Sequence, residues 1–250
     1  LDVSTSPYFC REHALAIPVT DEERENADSP LSPDRDGTEL VTNKLMLRRE
    51  QRIQTKVTTV ANYATGHSTT LAGTDQWNDY ANSDPIGDVK TGIRQIHSTL
   101  FMEPTVGVFP YQVMSQLEDH TDFIERIKYS QIGVLTADLI AALVGLPKLV
   151  VPGIGYDSAH PGRTQSLGYL WRKAVVLAWV GSPGLKKPNF GYEFVWTYGR
   201  GGGEQQVSRW REEPRKSDIV RVSRRYDLKF IAVDGSGDST AGYLIKSAVA

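Results

Sequence analysis

Cysteine is almost missing from this chain: Cys10 is the single one in 250 residues, which excludes an internal disulfide framework and any thiolate metal cluster supplied by one copy. Long apolar runs are missing too. The longest, Ala174 to Val180, falls far short of the roughly 20 residues a membrane-spanning helix needs, and no charged-then-apolar leader opens the chain. Nor is there an excess of one charge. Lys and Arg number 28 against 30 Asp and Glu, a net charge of -2, so no bulk field draws the protein to nucleic acid or to an anionic membrane. The expectation is a protein made in a cytoplasm, without a membrane partner, whose stability comes from packing or association. Leu1 stands where a methionine would, so further residues are expected upstream.

Motifs that carry chemistry are equally scarce. Gly153-Ile154-Gly155 resembles a dinucleotide loop, but the third glycine position is Ser158, and Ala159-His160-Pro161-Gly162 cannot open a helix whose amides would hold a pyrophosphate. Gly199-Arg200-Gly201-Gly202-Gly203 has no Lys-Ser or Lys-Thr after it, so a strand connection is expected there in place of a phosphate cradle. Asp157, Ser158 and His160 invite comparison with a hydrolytic triad, yet triads are assembled in space from separate elements around an oxyanion hole. His13, His67, His97, His120 and His160 lack metal-ligand spacing and read as surface or hydrogen-bonded residues. No catalytic residue, cofactor or metal is expected.

What is present is patterned charge and amphipathic sequence. Between residues 18 and 39 eight acidic residues face only Arg24 and Arg35, with prolines at 18, 30 and 33; this predicts an extended acidic connector needing a basic surface to lie on. Thr38 to Val57 predicts a long helix with a narrow apolar stripe and a basic face carrying Arg48, Arg49 and Arg52. After a loop from Ala64 to Ser83, Asp84-Pro85 caps a helix whose Ile86, Val89, Ile93, Ile96 and Leu100 recur at spacings of three and four. Val106 to Phe109 reads as a strand, Pro110 to Leu117 as a helix, and Phe123, Ile124 and Ile127 continue a helical period to Tyr129. Thr136 caps a further helix ended by Gly145 and Pro147, before a buried strand at Leu149 to Val151. Strands are predicted from Leu167 to Val180, Phe190 to Tyr198, Ile219 to Ser223, Leu228 to Val233 and Tyr243 to Lys246. The class is α+β, with a helix-rich middle and a strand-rich end.

Tyr192, Phe194, Trp196 and Tyr198 alternate, so they share one strand face. Without interleaved Lys or Arg, they read as core or subunit-interface packing before they read as a stack for bases. From Arg200 to Lys229 nine basic residues stand against five acidic ones. A basic C-terminal region and an acidic arm in one chain suit head-to-tail association between copies. The candidate contacts between subunits are Glu22, Glu23 and Glu25 on the arm, Arg48, Arg49 and Arg52 on the helix, and Arg209, Arg211, Arg224 and Arg225 near the end.

The run from Val106 to Lys128, opening Val-Gly-Val-Phe-Pro and passing through Leu117 and His120 to Ile127-Lys128, is followed by Leu135 to Gly145 and by Leu149-Val150-Val151. This order resembles the major capsid proteins of tailed phages. The likeness extends through Leu170-Trp171, Phe190-Gly191 and Gly242 to Ile245, and upstream through Tyr8 to Glu12, Asp21 to Ala27 and Leu47 to Glu50; Pro104-Thr105 departs from a Pro-Asn frequent in that family. The resemblance implies a Hong Kong 97-like fold. Residues 1–35 would be the end of an E-loop and its acidic connector, 36–61 the spine helix of a P-domain, 62–191 an A-domain, and 192–250 the P-domain strands and C-terminus. It implies a shell of pentamers and hexamers around double-stranded DNA, touched weakly and without specificity, within a virion assembled in a bacterial cytoplasm. Portal, scaffold and decoration proteins stay open as further partners. An encapsulin-type nanocompartment, which shares the fold, and an enzyme working through Asp157, Ser158 and His160 remain the alternatives.

Overall fold

A computed structural model describes residues 5–128, 135–160, 162–184, 187–198 and 203–250. In chain order the elements are β1 (Arg11–Thr20), α1 (Asp21–Glu25), α2 (Pro33–Val57), β2 (Ser68–Thr70), α3 (Pro85–Leu100), β3 (Val106–Val108), α4 (Tyr111–Glu118), α5 (Thr121–Ile127) and α6 (Ala137–Val144). There follow β4 (Lys148–Val150), β5 (Gly155–Asp157), β6 (Leu167–Tyr169), β7 (Val175–Ala178), β8 (Gly191–Val195), β9 (Gln205–Glu212), β10 (Ser217–Phe230) and β11 (Gly242–Lys246). The chain divides into two compact units, Leu1–Ile53 with Tyr192–Lys229, and Gln54–Gly191 with Phe230–Ala250.

The first unit is a sheet built on β10. β1 lies antiparallel along it, from Arg11 opposite Tyr226 to Thr20 opposite Ser217. β9 pairs with β10 antiparallel from Ser217 to Arg224, and β8 joins further along, where the Trp196 N–H donates to the Arg225 carbonyl. β1 is an edge strand, which is why Pro18 is tolerated within it. Ile17 of β1 and Val222 of β10 meet Val41 and Leu45 of α2 in a small apolar core.

Residues 18–39 therefore depart from the extended connector expected. They form the end of β1, the short α1 and the start of α2, which begins at Pro33 and so precedes Thr38. A reciprocal cap starts α1: the Glu23 N–H donates to Thr20 Oγ1 at 3.2 Å, while the Thr20 N–H donates to Glu23 Oε2 at 3.0 Å. The strands expected at Ile219 to Ser223 and Leu228 to Val233 are largely one strand, β10, and β9 was not anticipated.

The second unit holds a five-stranded sheet in the order β2-β11-β7-β3-β4, with β11 parallel to β2, β3 parallel to β4, and β7 antiparallel to both β11 and β3. Every residue of β7 is buried. Ile86, Val89 and Ile96 of α3 pack into a core with Trp77, Phe109, Leu117, Phe123, Ile140 and Leu177. The predicted caps are in place: the Gly87 N–H donates to Asp84 at 2.7 Å, Thr136 caps α6, and Gly145 ends it in the left-handed region at φ 84°. The closing residues, expected with the strands from 192 onward, lie in this unit because β11 is paired between β7 and β2.

Candidate functional site

The first unit concentrates ion pairs where the acidic segment meets β9 and β10. Arg24 reaches Asp34 and Asp218, each at 2.8 Å, and Arg209 donates to Asp218 through Nε at 3.1 Å. Arg211 forms a two-pronged pair with Asp21, with Nη2 at 2.6 Å from Oδ2. The Arg211 hydrogen bond holds the Asp21 carboxyl below its ordinary pKa, and the Arg209 hydrogen bond does the same for Asp218. The basic surface the acidic segment requires is thus supplied by β9 of the same chain.

A second network lies between α2 and the sheet. Glu193 of β8 accepts from Arg49 Nε at 2.8 Å and sits 3.3 Å from Arg224, which also reaches Glu204 at 2.7 Å. Arg224 is 8% exposed at its side chain, so this charge is held inside the unit. On the strand pair β1–β10, Glu12 takes Arg221 at 2.8 Å and Arg225 at 3.3 Å.

The candidate contact residues therefore separate. Arg49, Arg209, Arg211, Arg224 and Arg225 are tied to carboxylates of their own chain, and Glu23 is spent on the α1 cap. Glu22 and Glu25 stand exposed without side-chain partners among the described residues. Arg48 donates to the Gln51 side-chain oxygen, and Arg52 donates to the Tyr226 hydroxyl at 3.0 Å with its guanidinium 5.9 Å from that ring.

One feature escaped the sequence. The aromatic run that lacks basic neighbours along the chain gains one through the sheet: Arg225 of β10 lies 4.4 Å from the Tyr198 ring centroid and 5.5 Å from that of Trp196. Tyr8 stacks on Phe194 at 4.5 Å. Trp196 remains 60% exposed and Trp210 42%. The signal that could have found this pairing is the register of β8 on β10, which is not local.

The residues that suggested catalysis have other roles. The Asp157 carboxylate accepts the N–H groups of Ala159 and Ser166, both at 2.9 Å, which lowers its pKa, and the Ser158 hydroxyl donates to the Ser166 carbonyl. They organise the β5–β6 turn, while the exposed His160 side chain has no hydrogen-bond partner among the described residues. Gly155 opens β5 instead of a helix. Residues 199–202 of the glycine-rich stretch lie outside the described residues, as does Tyr129. His67 is buried between the Gly242 carbonyl and the Thr99 hydroxyl, and His120 between the Ser83 hydroxyl and the Asp122 N–H. Among the described residues no group of three His, Cys, Asp or Glu is placed to hold a metal ion.

The fold is Hong Kong 97-like. Its likeness to the capsid protein of cyanophage P-SCSP1u has a TM-score of 0.57 at 9% identity, covering 98% of this chain and 77% of that one. A Synechococcus elongatus encapsulin also shares the fold, with a TM-score of 0.53 at 12% identity over 96% of this chain and 74% of its own. No family model matches the sequence. The major capsid protein of Burkholderia phage BcepMu is 26% identical over 244 residues, 98% of this chain and 75% of that protein. That of Pseudomonas phage JBD67 is 28% identical over 162 residues, 64% of this chain and 51% of its own length. A phage-related protein of Bordetella bronchiseptica RB50 matches with a TM-score of 0.76 at 27% identity, covering 98% of this chain and 78% of the other. Over nearly its whole length the chain is thus similar to phage major capsid proteins.

Proposed function

We propose that this chain is a major capsid protein of the tailed-phage kind, which assembles as pentamers and hexamers into an icosahedral shell that encloses a double-stranded DNA genome in the virion, after assembly in the cytoplasm of a bacterial host. The observation that carries this reading is the match to a phage major capsid protein over 98% of the chain. Its role is structural and not catalytic. Its main partners are copies of itself, with portal, scaffold and decoration proteins as further ones, and a net charge of -2 suits a shell that tolerates dense DNA without gripping it.

On this reading residues 36–61 serve as the P-domain spine and residues 1–35 as the end of the E-loop and its connector. Residues 62–191 form the A-domain, joined by the closing strand β11. The first unit's thin core fits a body whose packing is completed by neighbours. The purified chain, followed by sedimentation and electron microscopy, is expected to form closed particles. Particles from infected cells that carry nucleic acid fit the phage reading, whereas particles filled with protein cargo and free of nucleic acid favour an encapsulin-like shell. A chain that stays monomeric at high concentration overturns both.

A further inference from the structure

α2 is 25 residues long, about 37 Å at 1.5 Å per residue, and its surroundings are electrically polarised. Near its N-terminal end stand Glu22, Glu25, Asp28 and Asp36, all exposed and without side-chain partners among the described residues, although Asp21 and Asp34 beside them are paired. Towards the other end Arg48 and Arg52 project one turn apart. Strand register sets Arg11 opposite Tyr226, whose hydroxyl accepts from Arg52, so helix and strand contribute guanidinium groups to one corner. None of Arg11, Arg48 and Arg52 has a carboxylate partner among the described residues. His13 lies in their field. Its pKa is held down by burial first and then by Arg52, Arg11 and Arg48, in keeping with their gathering at this corner.

The two ends cannot neutralise each other within one copy. Asp36 lies about 18 Å along the axis from Arg48 and about 24 Å from Arg52, whereas exposed charges are screened beyond roughly 8 Å at physiological salt. We infer that the corner made by Arg11, Arg48 and Arg52 is a docking surface for the acidic end, Glu22, Glu25, Asp28 and Asp36, of a second copy of this chain, in head-to-tail order. A head-to-tail contact closes into rings when its rotation allows, and complementary charge fixes the register of approach. The inference rests on the shell reading and names a contact within it.

Three variants test it: Arg11→Glu with Arg48→Glu, Glu22→Lys with Glu25→Lys, and a chain carrying all four changes. Either pair alone sets like charge against like, and the concentration needed for assembly is expected to rise about tenfold or more. The four together restore opposite charge between positions 11 and 48 and positions 22 and 25, with Arg52, Asp28 and Asp36 unaltered, and bring the threshold back towards that of the unaltered protein. All four positions are exposed, and circular dichroism melts check the fold. Should a reversal unfold the chain, Arg11→Gln with Arg48→Gln serves instead, and loss of the salt sensitivity of assembly is the expected result. Single-end variants that assemble at the unaltered threshold, or a folded four-change chain that stays impaired, overturn the inference and leave the shell reading standing. Failure of the unaltered protein to assemble overturns both.

Discussion

Glu193 shows how much one carboxylate holds in this chain. It lies between Arg49 and Arg224, its side chain is 15% exposed, and Arg224 has little water to fall back on. Without Glu193 the Arg224 guanidinium keeps Glu204 and the partly exposed Arg49 loses its carboxylate, so the cost is expected to fall below the roughly 3 kcal/mol of stranding a fully buried charge. Glu193→Ala is therefore expected to lower the urea midpoint of the first unit clearly, and Glu193→Gln less, since the amide oxygen still accepts from Arg49. Equal midpoints for the unaltered and Ala chains would show that the network contributes nothing net.

Asp88 gives a pH effect of defined sign. Burial pushes its carboxyl above the ordinary range, against the lowering effect of the Trp77 indole N–H, which donates to it at 2.8 Å. A carboxyl with a raised folded pKa contributes stability that is full below the unfolded value near 4 and is lost as pH rises through the folded one. Asp88→Asn keeps an oxygen for Trp77 and removes the ionisation. The variant should gain on the unaltered protein between about pH 4 and neutrality, a gap that melting curves across that range will measure. Asp21 and Asp218, held down by Arg211 and Arg209, carry the opposite sign: what they contribute is present above the ordinary carboxylate value and fades as pH falls through their folded values.

At the scale of elements, the packing of α3 against β7 and β11 turns on one glycine, Gly92. A Cβ at Gly92 would fall 2.7 Å from the Tyr243 ring and 2.8 Å from Leu177 Cδ1. The helix would gain up to about 1 kcal/mol from alanine, but overpacking a tight core costs about 1–3 kcal/mol, so Gly92→Ala is expected to lower Tm. A raised Tm would mean that the ring swings aside freely. The same element shows what sequence reveals. Asp84, Pro85 and the three-and-four spacing of Ile86 to Leu100 mark α3 at both ends, because cap and stripe are local. β9 left no such mark: Val207 and Trp210 fall on opposite faces, opposite Val222 and Ile219, and both remain exposed, so no alternation appears. The acidic segment read as self-repelling because its neutralising partners, Arg209 and Arg211, arrive from nearly the far end of the chain. Of the candidate contacts, residue type was legible, but which guanidinium groups are already engaged was set by pairing across β1, β9 and β10.

The two units differ sharply in what holds them. In the second, Trp77, Phe109, Phe123, Ile140, Leu177 and Ile245 belong to one extensive core of wholly buried side chains. In the first, Val41, Leu45 and Val222 cluster with Ile17 against them and Val19, Ile219, Val220 and Tyr226 are buried as well, while Trp196, Trp210 and Val207 stay open to solvent. A unit with the smaller apolar core gains less from packing to set against the ordering of a long helix and a sheet, so its ion pairs and, on the shell reading, neighbouring copies are expected to contribute more. Anything that binds only the folded form stabilises it by mass action. Hydrogen exchange should therefore find the amides of β1, β9 and the first half of α2 exchanging well before those of α3 and β7 in the isolated chain. On assembly the first group is expected to slow far more than the second. Equal protection of both units in the isolated chain would mean that the first unit is self-sufficient, and the dependence of its stability on a second copy would fall.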